Sequence, residues 1–325
     1  MCLMLAMTFA LTIHAQSISP QGRLTLQNNI PVMTTDVSNT STVYYMPYLG
    51  NYVPIGTGAS GGSYVEYSFG SSGQTLTLSS TYQTSGNIYD VFEFLVSGLP
   101  VIGLNTTPWH SLTGRSTNYC DNIEQYQGIW VNSYSFTLTC SFNNGSTIYQ
   151  NTVARDATYI GSIYMTGNGE TSMVFHPAAA SGGTNNVLGV WNAYNRVRVT
   201  SQNFDSTASW TYASNAIRDA DGSSNNRITF VDGLQQSRVE GEYCVNGIIV
   251  SGSAAAVVSY IGFNGTTGGM LAWSTAQNNT PLCAKDTYQG LGLGFAQAQE
   301  GTGSGGETAT YNGNGSEVLT VSLDM

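Results

Sequence analysis

Residues 88–98 read IYDVFEFLVSG. Tyr89, Val91, Glu93 and Leu95 fall on one side of an extended chain, and Ile88, Asp90, Phe92, Phe94 and Val96 on the other. Successive side chains of a strand point to opposite faces. A period of two, bounded by Ser97 and Gly98, is the pattern of a β-strand. The same text recurs in SYVEYSFG (63–70), TLTLSST (75–81), GIWVNSYSFTLTCSF (128–142), ATYIGSIYMTG (157–167) and NVLGVWNAYNRVRVT (186–200). It continues in ASWTYAS (208–214), NRITFVDGL (226–234), RVEGEYCVNGIIVSGSAAAVVSYIGF (238–263), GLGLGFAQAQEG (290–301) and EVLTVSLDM (317–325). Asn-Gly within NNGS (143–146) predicts a hairpin turn.

Composition points the same way. Charged residues are 9% of the 325, against roughly 25% in an average soluble domain. There are eight arginines and a single lysine, Lys285. Helical proteins need Glu, Lys, Ala and Leu on their exposed faces, and those charges are missing. Disordered chains are poor in aromatics, yet this one has 20 Tyr, 11 Phe and 5 Trp. The reading is all-β: a β-sandwich over residues 21–200 that includes an extended N-terminal arm, then a second β-sandwich or jelly-roll over 201–325. In the arm, STVYYMPYLGNYVPI (41–55) is broken by Pro47 and Pro54, which places it at a sheet edge or outside the sheets. The soft boundary falls near residue 200, followed by the loop-like NFDSTAS and RDADGSSNN. No repeat of propeller or solenoid type appears.

Residues 1–20 form a separate segment. MCLMLAMTFALTIHAQ is apolar but shorter than the ~20 residues a bilayer span needs. It reads as a signal-peptide core without the basic n-region, or as a segment that docks on a partner. No other stretch reads as a membrane span. The net charge is −10 and no basic stripe occurs, so nucleic acid is not an expected partner.

The search for chemistry yields no catalytic, cofactor-binding or metal-binding residue, and no cofactor. His14, His110 and His176 each stand alone. No GxSxG elbow is present. Five cysteines, at 2, 120, 140, 244 and 283, form no CxxC pair, which argues against zinc. Cys120 and Cys140 are candidates for a hairpin disulfide, with buried thiols as the alternative. Glycosidases use two carboxylates. The candidates by spacing are Asp90 and Glu93, Asp121 and Glu124, Asp219 and Asp221, and Glu240 and Glu242, the last two residues apart on one strand face. DADGSSNN (219–226) resembles a calcium loop but lacks its sixth-position Gly and twelfth-position Glu, so it reads as an Asp-rich turn. GLGLG (290–294) and GTGSGG (301–306) lack the strand-then-helix context of a nucleotide loop. Sequons stand at Asn39, Asn105, Asn144, Asn264, Asn278 and Asn314. The positive signal is the wealth of Tyr, Trp, Asn and Gln: aromatic faces stack on sugar rings and amides bond their hydroxyls, although aromatics also pack across strands.

Several stretches carry a family resemblance. GRLTLQNNIPVMTTDVSNTSTVYYMPYLGNYVPI (22–55), SGNIYDVFEFLVSG (85–98), GIWVNS (128–133), YIGSIYMT (159–166), LGVWNAYNRV (188–197), SWTYA (209–213) and NRITFVDGL (226–234) resemble, in order, a group of tailed-bacteriophage tail-fibre or virion structural proteins. The resemblance implies a phage virion surface protein, a tail or head fibre, that associates as a homotrimer, contacts other virion proteins and binds bacterial surface polysaccharide. It supplies no catalytic motif. A decoration protein without a receptor and a polysaccharide depolymerase are the alternatives. Within GVWNAYNR (189–196), Trp191 and Tyr194 read as packing residues and Arg196 as paired with a carboxylate or carbonyls.

Overall fold

The computed structural model describes residues 19–57, 63–116, 122–140, 147–151, 153–251, 257–274, 281–302 and 308–325. Among these, the regular elements are β-strands joined by turns and loops, with one short 3-10 turn at Ala220–Gly222. The NNGS turn, the leader, His14 and Cys120 lie outside the described residues.

The strand at Ile88–Val96 is central in an eight-stranded sheet, hydrogen-bonded to Leu99–Asn105 on one side and Thr158–Tyr164 on the other. Both of its faces are buried. Three hairpins turn on two-residue loops with both residues at positive φ: Ser97-Gly98, Gln127-Gly128 and Asn264-Gly265. That is the type I′ geometry, whose twist matches the flanking strands. A second, thirteen-stranded assembly runs from Val37–Thr40 to Arg198–Asn203. It folds back on itself in jelly-roll fashion. The strand Val239–Ser251 and the strand Val257–Phe263 meet across the core, where a Cβ on Gly241 would strike Ile261 Cδ1 at 2.3 Å. Trp210 stacks on Tyr311 at 5.9 Å, and the Tyr311 hydroxyl donates to Gly301 O at 2.8 Å.

Two features bear on the expected layout. The N-terminal stretch begins with a strand packed into the body of the fold. Gly22–Thr25 is fully buried and pairs with Thr42–Pro47, which also pairs with Gln74–Thr77. Pro47 sits at the last position of its strand, and Pro54 lies in the separate ribbon Tyr52–Gly56 and Tyr64–Ser68, where its missing donor disturbs no larger ladder. Hydrogen bonding also crosses the boundary read near residue 200. Asn186–Leu188 runs parallel to Arg227–Asp232, and Arg198–Asn203 pairs with the end of Thr308–Asp324.

GVWNAYNR explains how the N-terminal strand is held. Asn192 accepts Leu24 N–H at 2.6 Å and donates to Leu24 O at 3.3 Å, so one amide acts as a strand partner. Asn195, at φ 54°, donates to Pro20 O and Gly22 O. Trp191 is fully buried and its Nε1 donates to Ser237 Oγ at 3.0 Å. The Tyr194 hydroxyl accepts Trp130 N–H at 2.8 Å. Arg196 departs from the reading: its guanidinium lies over the Trp191 ring at 5.3 Å, and its Nη1 is buried with no hydrogen bond. Stacking on the indole replaces the expected carboxylate or carbonyl partner. Asn192→Ala is expected to cost about 2–3 kcal/mol in urea unfolding, because it orphans both backbone groups of buried Leu24. A cost below about 0.5 kcal/mol, the range of an idle surface site, would contradict this role.

Candidate functional site

Two surfaces gather polar side chains. The first is a cleft of about 390 Å³ beside the Ile123–Tyr126 and Ile129–Asn132 hairpin, lined by Asn122, Glu124, Ser133, Tyr134, Ala154 and Arg155. Asn132, the Asn of GIWVNS, builds it. Its buried amide donates to Tyr134 O at 2.9 Å and Val153 O at 3.1 Å, and accepts Ala157 N–H at 2.9 Å. Arg155 N–H donates to Asn132 O at 2.9 Å. One amide therefore fixes both walls of the cleft. Ser133 donates from N and Oγ to Asn122 O. Arg155 pairs with Glu124 at 2.6 Å and lies over the Tyr126 ring at 4.3 Å. Tyr64 packs beside Tyr126 at 6.1 Å, and partial burial with the neighbouring Tyr126 pushes its hydroxyl up to about 12. Tyr134 is 44% exposed at the rim.

The second surface is the outward face of four strands, Arg198–Asn203, Thr308–Asp324, Val239–Ser251 and Leu282–Tyr288. Alternation sends Leu319, Val321, Leu323, Tyr243 and Ala284 inward, and Thr320, Ser322, Glu240, Glu242 and Lys285 outward. Register then sets the outward residues in rows. Thr200, Ser322, Glu240 and Thr287 form one row, and Gln202, Thr320, Glu242 and Lys285 the next. In the third row Cys244 and Cys283 are directly opposite and form a disulfide. The face carries a groove of about 470 Å³.

The carboxylate pairs chosen by spacing separate into distinct fates. Glu240 and Glu242 do share a face, but Glu240 pairs with Arg198 and Glu242 with Lys285 at 3.0 Å. Asp90 and Glu93 point to opposite faces of their strand. Asp90 joins Arg115 in a buried ion pair, while burial holds the Glu93 carboxyl well above the usual range. Glu124 pairs with Arg155, and Asp121 lies outside the described residues. Asp219 precedes the 3-10 turn and Asp221 is its middle residue, where it takes φ 53° and accepts Thr207 Oγ1 at 2.9 Å. The Asp-rich-turn reading therefore describes DADGSSNN. His110 and His176 are exposed, and His176 N–H donates to Asp36. Gly292 takes positive φ against Leu112 O, a close backbone approach in a sheet. Of the sequons, Asn105 is buried, Asn39, Asn264 and Asn314 sit at positive φ, and Asn144 and Asn278 lie outside the described residues. Cys140 is buried, and the proposed bond to Cys120 falls outside the described residues.

Sequence reading missed three features: the Cys244–Cys283 bond, the Arg115–Asp90 network and the Asn132 hub. The disulfide joins residues 39 apart, a spacing with no local signature. Only the strand register makes the two cysteines neighbours.

No protein-family model matches this chain, and no curated protein matches it. Distant likenesses exist among solved structures. The VP2 subviral particle of infectious bursal disease virus aligns with TM-score 0.24 and 13% identity over 91% of this chain and 79% of that one. The Gx strain of the same virus aligns with TM-score 0.23 at the same identity and coverage. The insecticidal delta-endotoxin Cry8Ea1 of Bacillus thuringiensis aligns with TM-score 0.16 and 8% identity, over 94% of this chain and 51% of that one. Scores this low assign no function.

Proposed function

We propose that this chain is a non-enzymatic component of a phage particle surface, a tail or head fibre, that binds host cell-surface glycans in the Tyr134 cleft. The observation that carries this reading is the exposed Tyr134 ring at the rim of a cleft whose walls are fixed by buried Asn132. The ring offers a stacking surface. Ser133 and the Glu124–Arg155 pair offer donors and acceptors for hydroxyls. Three further considerations support it. The sequence reading finds a resemblance to phage virion proteins over most of residues 22–234. The fold is all-β with few charges to titrate. The surface disulfide belongs to an oxidising setting. Association as a homotrimer would present three clefts and turn weak sites into avidity.

The test is binding of host surface polysaccharide by calorimetry, with reducing ends assayed in the same samples. Binding by the unaltered chain, at least tenfold weaker in Tyr134→Ala and without released reducing ends, is expected; tenfold corresponds to about 1.4 kcal/mol. Equal binding by Tyr134→Ala removes the cleft from the reading. Released ends that vanish in Glu240→Gln or Glu242→Gln would establish the depolymerase instead.

A further inference from the structure

The second and third rows of the outward sheet face together hold more than a disulfide. Glu242 precedes Cys244 by two residues on the same strand, so both side chains project from one face. Cys283 lies directly opposite Cys244. Glu242 Oε1 is 3.6 Å from Cys244 Sγ, and one donor atom from each of the three residues lies within 4.8 Å of the other two. Cys283 is exposed, and Cys244 and Glu242 are half-buried, so solvent reaches the group. Two thiolates and a carboxylate within such a radius suit a soft divalent cation, which binds sulfur at about 2.3 Å and a carboxylate oxygen at about 2.0–2.2 Å. We propose that, when the disulfide is reduced, Cys244, Cys283 and Glu242 form a three-donor site for a soft divalent cation of the zinc class, with a fourth position open to water.

Charge supports the assignment. Two thiolates, one carboxylate and a divalent cation sum to −1. Lys285, the only lysine in the chain, stands 3.0 Å from Glu242 and supplies the compensating positive charge. The chemistry balances with a phosphine as reductant. The phosphine takes oxygen from water to become its oxide, giving two electrons to the S–S bond, and each sulfur leaves as a thiol. Metal binding then releases the two thiol protons. Oxidised, the same sulfurs are bonded to each other and hold no metal.

The experiment uses the full chain, reduced with a phosphine and freed of it anaerobically, then titrated with Co2+. Thiolate-to-cobalt charge-transfer absorption saturating at one equivalent, and bleached by Zn2+, is expected. It should vanish in the Cys244→Ser/Cys283→Ser double variant, which leaves the other three cysteines in place. Glu242→Gln should weaken Co2+ binding at least tenfold while still forming the disulfide in air. Absence of the band, or its survival in the double variant, overturns the site. An unchanged affinity in Glu242→Gln overturns the assignment of the carboxylate.

Discussion

Replacing Arg115 with methionine is expected to cost about 3–5 kcal/mol in chemical unfolding, among the largest effects of any single substitution in this chain. Its guanidinium donates from Nε to Asp90 Oδ2 at 2.7 Å and from Nη2 to Asp90 Oδ1 at 2.7 Å. Nη1 donates to Gly233 O at 2.7 Å, and the group lies 3.9 Å from the centre of the Trp109 ring. Asp90 Oδ1 also accepts Trp109 Nε1 and Ser162 Oγ. The side chains are 8% and 1% exposed, so neither charge has water to turn to. Methionine keeps the stem but strands a buried carboxylate, and the lost attraction no longer offsets its desolvation. The network ties the 109–116 loop, the Ile88–Val96 and Thr158–Tyr164 strands and the turn at Gly233 to one carboxylate. The double variant Asp90→Asn/Arg115→Met is expected to recover more than half of the loss, since no bare charge remains. A single-variant cost below about 1 kcal/mol, the value of an exposed pair, would show that the network is not desolvated.

What was legible in the sequence follows from distance along the chain. Period two is a local property, and it located Ile88–Val96, Thr158–Tyr164, Arg227–Asp232 and the alternating end of Thr308–Asp324. GVWNAYNR read as structural because it offers aromatics and amides with no reactive group, and its amides do hold the N-terminal strand. The edge reading of 41–55 followed the prolines, but propensity yielded to tertiary burial of Tyr45 and Met46. Pairings set by register were not legible. Arg115 and Asp90 are 25 apart in sequence and Cys244 and Cys283 are 39 apart. Asp90 and Glu93 entered as a candidate acid pair because both are carboxylates three residues apart. Odd spacing on a strand sends them to opposite faces, where one meets arginine and the other meets none. The Tyr134 cleft was invisible for the same reason: its walls come from residues 122–124, 133–134 and 154–155, brought together by an asparagine between them.

Glu317 carries a strong expected dependence on pH. It sits at an inward position of Thr308–Asp324, opposite Val245, with 1% of its surface exposed. Its Oε2 and the Tyr243 hydroxyl are both buried without a hydrogen bond of ordinary geometry. Burial pushes its carboxyl from the ordinary 4.5 up to about 8, and Asp205, Glu300 and Asp221 push the same way while the Tyr243 hydroxyl opposes them. Arg218 is committed to Glu300. The folded chain therefore prefers the protonated form more strongly than the unfolded chain does. The sign follows: the stability Glu317 contributes is fully present below about 4.5 and is lost as pH rises through about 8, where the folded carboxyl finally ionises. Each tenfold difference in proton affinity is about 1.4 kcal/mol, so the loss across that window is on the order of 5 kcal/mol. Glu317→Gln keeps the shape of the protonated acid and removes the titration. Urea unfolding at pH 5 and pH 9 is expected to show the variant close to the parent at the lower pH and several kcal/mol more stable at the higher. Identical pH slopes for the two proteins would mean that the carboxyl is already ionised in the fold, and that Tyr243 or an unrecognised cation stabilises the charge.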